Sequence, residues 1–127
     1  MPSKSINSES APEPAGGYSQ AMIVTGTTRR LYISGQIPET REGAIPNSFR
    51  EQAALVWQNV LAQLHAADMT IEDMVKVTIF LSDRKYNVEN RKARQTALGE
   101  CAPALTVIIT GIFDESWLLE IEAIAER

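Results

Sequence analysis

The chain of 127 residues offers one cysteine and one histidine, so it is poor in the two residue types that most often hold metals. Cys101 has no partner for an internal disulfide, which fits a reducing compartment. It lies just past a helix end, with no cationic neighbour to make its thiol reactive. His65 sits near the end of a long helical pattern with no Cys or His at ligand spacing, so no metal site is expected. No apolar run approaches the ~18 residues of a membrane span, and the polar first ten residues lack a signal-peptide pattern. A cytoplasmic, membrane-free protein is the expectation. A phosphate-cradling glycine loop, a dinucleotide fingerprint and a Ser-His-Asp set are all missing, so no cofactor is expected. Positive charge is also scarce: 12 Lys and Arg stand against 16 Asp and Glu, for a formal net charge of −4. Basic residues group only as Arg29-Arg30, Arg84-Lys85 and Arg91, Lys92 and Arg94. These read as solvated surface, and a nucleic-acid partner is disfavoured because phosphate binding needs clustered cations.

What is present reads as one domain over 1–127, with 44% hydrophobic and 22% charged residues. The Pro- and Ala-rich stretch over 8–17 is a loop. Met22-Ile23-Val24 and Leu31-Tyr32-Ile33-Ser34 flank a Gly26-Thr27-Thr28 turn and are expected to pair as a hairpin, which Ile37-Pro38 ends. Ser48-Phe49-Arg50-Glu51 is a capping box. The helix after it runs to about Ala67, with Phe49, Ala53, Val56, Trp57, Val60, Leu61 and Leu64 on one face and Arg50, Gln52, Gln58 and Gln63 opposite. Met74 to Leu81 alternates as a strand. A second helix spans about Asn87 to Leu98 and stops at Gly99. Ala104 to Thr110 is apolar on both faces, which predicts a strand buried on both sides. Trp117 to Ala125 is the last strand.

This order predicts an α+β fold, a single mixed β-sheet with two helices packed on one face. The other face needs a cover, and exposed apolar patches of that size mark interfaces. An oligomer is expected. On the last strand, Glu120 and Glu122 share a face, roughly 7 Å apart. Glu120 lies among Leu118, Leu119 and Ile121, where desolvation raises a carboxyl pKa towards general-base values. Pairing with a Lys or Arg, or simple solvation at the sheet edge, is the alternative. Tyr18 follows Gly16-Gly17 and suits a pocket rim, or else a packed surface position. Ser34-Gly35 ends a strand where a ligand can approach the backbone closely.

Gly17-Tyr18-Ser19-Gln20, Ile33-Ser34-Gly35-Gln36-Ile37-Pro38, Cys101-Ala102-Pro103-Ala104-Leu105-Thr106-Val107-Ile108 and Leu119-Glu120-Ile121-Glu122-Ala123-Ile124-Ala125 recur in this order over about 7–125. In these segments the chain closely resembles the reactive intermediate deaminase family (Rid or YjgF-type, endoribonuclease L-PSP-like). The resemblance implies a chorismate mutase-like fold closed into a homotrimer, with small-molecule pockets between subunits. It implies that Glu120 holds the water that attacks an imine carbon. It also implies that Tyr18, Ser34, Gly35, Asn90, Leu105 and Val107 border the substrate. Asn90 is equally explained as a first-turn helix residue satisfying backbone groups. Two positions depart from the family. Leu105 stands where catalytic members carry the arginine that clamps the substrate carboxylate in two parallel hydrogen bonds. Val107 replaces a common cysteine. Both make the pocket more apolar, so a small charged imino acid is expected to bind poorly unless Arg91, Arg94, Arg29 or Arg30 supplies a relocated clamp. The expected function is hydrolysis or deamination of an imine-, enamine- or amide-like metabolite other than 2-aminoacrylate. A non-catalytic metabolite-binding or regulatory trimer is the alternative, and the ribonuclease or translation-inhibitor role is disfavoured by the acidic charge.

Overall fold

Ser48 opens the long helix as its sequence requires. Its hydroxyl accepts the Glu51 N–H at 3.2 Å and donates to the Glu51 carboxylate at 2.9 Å. In the computed structural model, which describes residues 2–127, this helix is α1 (Phe49–Ala66). The strands are β1 (Ser3–Ile6), β2 (Ala21–Val24), β3 (Arg30–Gln36), β4 (Met74–Leu81), β5 (Ala104–Ile109) and β6 (Leu119–Glu126). The second helix, α2, covers Asn87–Leu98 and ends at Gly99, whose φ of +59° suits glycine.

Four strands form one mixed sheet in the order β3-β6-β4-β5. β6 runs antiparallel to both of its neighbours, and β4 and β5 are parallel. A parallel pair needs a long crossover, which α2 supplies. One sheet face buries Ile33, Val77, Ile79, Leu81, Leu119, Ile121, Ala123 and Ala125 under Ala53, Val56, Trp57, Val60 and Leu64 of α1, with Leu98 of α2 in the same core. The opposite face presents Tyr32, Thr78, Phe80, Glu120, Glu122 and Ile124, and Tyr32 is 68% exposed. Two helices on one face of a mixed sheet is the α+β arrangement expected.

Three expectations are corrected. Val24 and Leu31 do not belong to one hairpin. β2 pairs instead with β1, from Ser3↔Val24 to Ile6↔Ala21, while β3 takes β6. The turn between them is held by the far end of the sequence, since the N–H groups of Thr28 and Arg29 donate to the Arg127 carbonyl at 3.0 and 2.9 Å. Alternation in β6 matches β3 so that Ile33 and Ala123 both enter the core, and this outweighs nearness along the chain. β5 is an edge strand rather than a doubly buried one, with Val107, Ile108 and Ile109 all more than a third exposed. Gln52 is buried, not on the solvent face of α1. Its amide donates to Pro46 O and Ser116 O, each at 2.9 Å, and its carbonyl accepts from Leu118 N at 2.8 Å. It therefore fixes the entry into β6. Among the described residues, no helix is long and apolar enough to cross a membrane.

Candidate functional site

The expected site residues fall into two clusters on opposite faces of the sheet. Glu120 pairs across from Phe80 on the uncovered face, whereas Leu105 and Val107 pair with Val77 and Ile79 and point towards the helices.

The first cluster forms where β3 breaks register with β6, between Ile33 and Gln36. Ser34 and Gly35 occupy this irregularity, and the Glu120 side chain lies across it. A Cβ built on Gly35 would sit 2.7 Å from Glu120 Cδ, so only glycine leaves room for the carboxylate there. No Lys or Arg among the described residues pairs with Glu120; the two ion pairs are Arg30–Glu126 and Arg127–Asp73. Partial burial, and then the neighbouring Glu122 charge, hold the Glu120 carboxyl above the ordinary glutamate range. Ser34 is exposed beside it. A carboxylate with a raised pKa, open to solvent on one side, can take a proton from water.

The second cluster is a cavity of about 200 Å³ between α2, β5 and the loop before β2. Tyr18, Asn90, Leu105 and Val107 line it, together with Asn87, Arg91 and Arg94. Tyr18 is placed by its successor. Ser19 N donates to Pro103 O at 3.0 Å, and the Ser19 hydroxyl donates to Ala102 O while accepting from Ser5 Oγ at 2.6 Å. This buried serine ties the loop to the start of β5, so Tyr18 and Leu105 meet despite their distance in sequence. Gly17, with φ of +70°, makes the turn that leads into Tyr18. The Tyr18 hydroxyl accepts the Ala15 N–H at 3.1 Å.

Asn90 does not cap backbone groups. It is buried, and its Oδ1 has no hydrogen-bond partner. Arg94, one turn further along α2, was grouped by its sequence with solvated basic residues, yet it is 4% exposed. Its guanidinium stands 5.7 Å from the centroid of the Tyr18 ring, Nη1 reaches Gly16 O only at 3.5 Å, and Nε has no partner. Burial, then repulsion by Arg91, lowers its pKa, with Tyr18 acting the other way. Arg29 and Arg30 are occupied elsewhere, by Ala67 O at 2.7 Å and Glu126 at 3.2 Å. Arg94 shares a face of α2 with buried Asn90 and Leu98 at i, i+4, i+8 spacing. Two of the three are polar, so the stripe does not read as apolar, and the loop that covers Arg94 arrives from residues 15–18. Cys101 is half-buried, and burial followed by the nearby Glu72 and Glu100 raises its thiol pKa, which leaves it unreactive. Among the described residues no group of His, Cys, Asp or Glu is arranged to hold a metal ion.

Comparison with known proteins adds relatives to this geometry. The sequence profile of the family described as Endoribonuclease L-PSP matches residues 8–127. A RutC family protein of Pyrococcus horikoshii is 36% identical over 124 residues, covering 96% of each chain. The Escherichia coli TdcF structure, solved with bound serine, superposes with a TM-score of 0.73 at 31% identity over 98% of both chains. A Rid family protein of unknown function from Yersinia pestis superposes at 0.87 over the whole of both chains. At 22% identity it speaks for the fold alone.

Proposed function

The chain belongs to the Endoribonuclease L-PSP family of Rid and RutC proteins, and from that premise we propose that it is an imine or enamine hydrolase with its site between subunits. The observation that carries the reading is the Glu120 carboxyl, unpaired, raised in pKa and seated over Gly35 on an uncovered sheet face. In the reaction, Glu120 takes a proton from water as the oxygen adds to the C=N carbon. The resulting carbinolamine then expels ammonia, with the proton returned to nitrogen, so imine and water give carbonyl and ammonia.

Within one chain the sheet separates Glu120, Ser34 and Gly35 from Tyr18, Asn90, Leu105 and Val107. A closed homotrimer would join the first cluster of one subunit to the second of its neighbour. Exposed Tyr32, Ile108 and Val107 favour such an assembly, since apolar surface of this kind is normally covered. Serine in the TdcF structure is a ligand of the small size that the cavity admits. The single half-buried thiol fits a cytoplasmic setting, and a net charge of −4 weighs against a ribonuclease role. Leu105, which donates no hydrogen bond where clamping members carry arginine, favours a second reading, a binding trimer without turnover.

An L-amino acid oxidase acting on leucine or phenylalanine generates apolar 2-imino acids in situ, and keto acid release can be followed with and without the protein. The wild type should accelerate release, and Glu120→Gln should lower that acceleration by roughly 10²- to 10⁴-fold with unchanged oligomeric mass. No acceleration by the wild type across imines and enamines would leave the binding reading in its place.

A further inference from the structure

We propose that the cavity between α2 and β5 is an anion site in which Arg94, from the helix rather than the strand, holds a ligand carboxylate while Leu105 and Val107 contact the ligand's apolar side chain. The inference deepens the hydrolase reading and rests on it for the location of the substrate, but its evidence is separate.

A cation that is 4% exposed needs compensation, because burying an unpaired charge is costly. Arg94 finds little within the chain. Among the described residues its one hydrogen bond is the long one to Gly16 O, and the Tyr18 ring offers a weak electrostatic partner at 5.7 Å. Among the described residues no Asp or Glu lines the cavity, and the one other charged group there is a second cation, Arg91. An anion relieves both the desolvation of Arg94 and its repulsion by Arg91. With Nη1 turned to Gly16, the Nε edge is left for the two parallel bonds that guanidinium makes to carboxylate.

Besides Asn87, two polar side chains of the lining bear on the rest of the ligand. Asn90 Oδ1 is a buried acceptor without a donor, so it calls for an N–H. The Tyr18 hydroxyl already accepts from Ala15, and its own proton is free to donate. Leu105 and Val107 form an apolar wall. Together these select a small carboxylate that bears an imine or amine nitrogen and an apolar chain. Leu105 therefore widens the choice of side chain without removing charge recognition, because the cation is supplied by α2.

Calorimetric titration with 4-methyl-2-oxopentanoate, its neutral amide and pyruvate tests this without requiring turnover. The branched acid should bind at least 10-fold more tightly than the amide, and more tightly than pyruvate. Arg94→Gln should weaken the acid by roughly 10- to 100-fold, to the level of the amide, and leave the amide unchanged. Leu105→Arg added to Arg94→Gln should restore acid binding. Arg94→Lys keeps the charge without the fork and should lose several-fold; it serves also if Arg94→Gln fails to fold. Equal binding of acid and amide, no acid binding, or wild-type affinity in the Arg94 variants would overturn the proposal. So would loss of oligomeric mass in Arg94→Gln, which would assign the cation to a neighbouring copy's carboxylate. Acid binding that depends on Arg94 in a protein with no imine turnover would sink the hydrolase reading and leave the anion site standing.

Discussion

The two clusters handle charge in opposite ways. Glu120 lies over a backbone irregularity, half open to water, and the strain on its charge is modest because solvent remains on one side. Arg94 is almost wholly buried under a loop, 5.7 Å from the centroid of the Tyr18 ring, with its Nε unpartnered. The acidic cluster is built by removing a side chain at Gly35, and the basic one by folding residues 15–19 over α2. The first kind of site tolerates a change of ligand, since little around it is saturated. The second discriminates, since buried unpaired groups penalise a ligand that leaves them unpaired.

The comparison breaks most sharply at Gly35. Gly35→Ala places a methyl group where the Glu120 carboxylate lies, and the flexible acid must swing aside. Imine turnover should fall about 100-fold, the usual scale for a displaced catalytic group. The melting free energy should change by less than about 1 kcal/mol, because only the end of one side chain has to yield. Carboxylate binding in the other cluster should be unaffected, and a matching loss there would show that the two are not independent.

Gln52→Ala comes next. It leaves Leu118 N, Pro46 O and Ser116 O without their buried partner and should destabilise the fold by about 1–3 kcal/mol in denaturant titration. Because Gln52 secures the entry to β6, turnover should fall more than carboxylate affinity. Ser19→Ala acts on the other side, releasing the loop from Ala102. About 1 kcal/mol of stability should be lost, with weaker acid binding and an Arg94 environment altered in side-chain NMR.

The smallest effect is with pH. Glu120 has a folded pKa raised above its unfolded value, so its ionised form is disfavoured in the fold. The fold then binds the proton more readily than the unfolded chain, and this cost is present above the raised pKa. It is relieved as pH falls from the raised value towards the ordinary 4.5. Glu120→Gln should therefore be slightly more stable than wild type at neutral pH, by less than about 1 kcal/mol given solvent screening, with the gap closing in acid. A gap that widens on acidification would mean that the carboxylate is stabilised by an opposite charge.

The framework was legible from periodicity alone. The serine cap at Ser48, the stripe on α1, the alternation of β4 and the glycine stop of α2 each follow from local chemistry, although Glu51 reaches back to the Ser48 hydroxyl and not to its backbone N–H as a full capping box would. What local chemistry could not give was anything decided by residues distant in sequence. β2 looked like the partner of β3 because only a short turn separates them, but the polar strand β1 carries no strand pattern and takes that place. Gln52 flanks the apolar stripe, three residues after Phe49 and four before Val56, but its polar amide reads as solvent-facing, and its burial depends on a loop more than sixty residues away. Arg94 shares a helix with exposed Arg91 and Lys92, and only the fixing of Ser19 to Pro103 places a lid over it. Tyr18, Asn90, Leu105 and Val107 are named by the resemblance, whereas Arg94 stands only as one of four arginines that could reach the pocket, and nothing local separates it from the other three.

The strand order β3-β6-β4-β5 also bears on how the chain reaches this state. β6 lies inside the sheet, hydrogen-bonded on both sides, yet it is the latest in sequence of the four strands. During synthesis, β3 and the β6-facing side of β4 emerge with unpaired edges before residues 119–126 leave the ribosome. The central zipper must then insert between two waiting strands, and such long-range closure is intrinsically slow. Until it does, β3 is open on both sides and not on one, and unpaired strand edges recruit other chains, so newly made chains are more exposed to aggregation than folded ones.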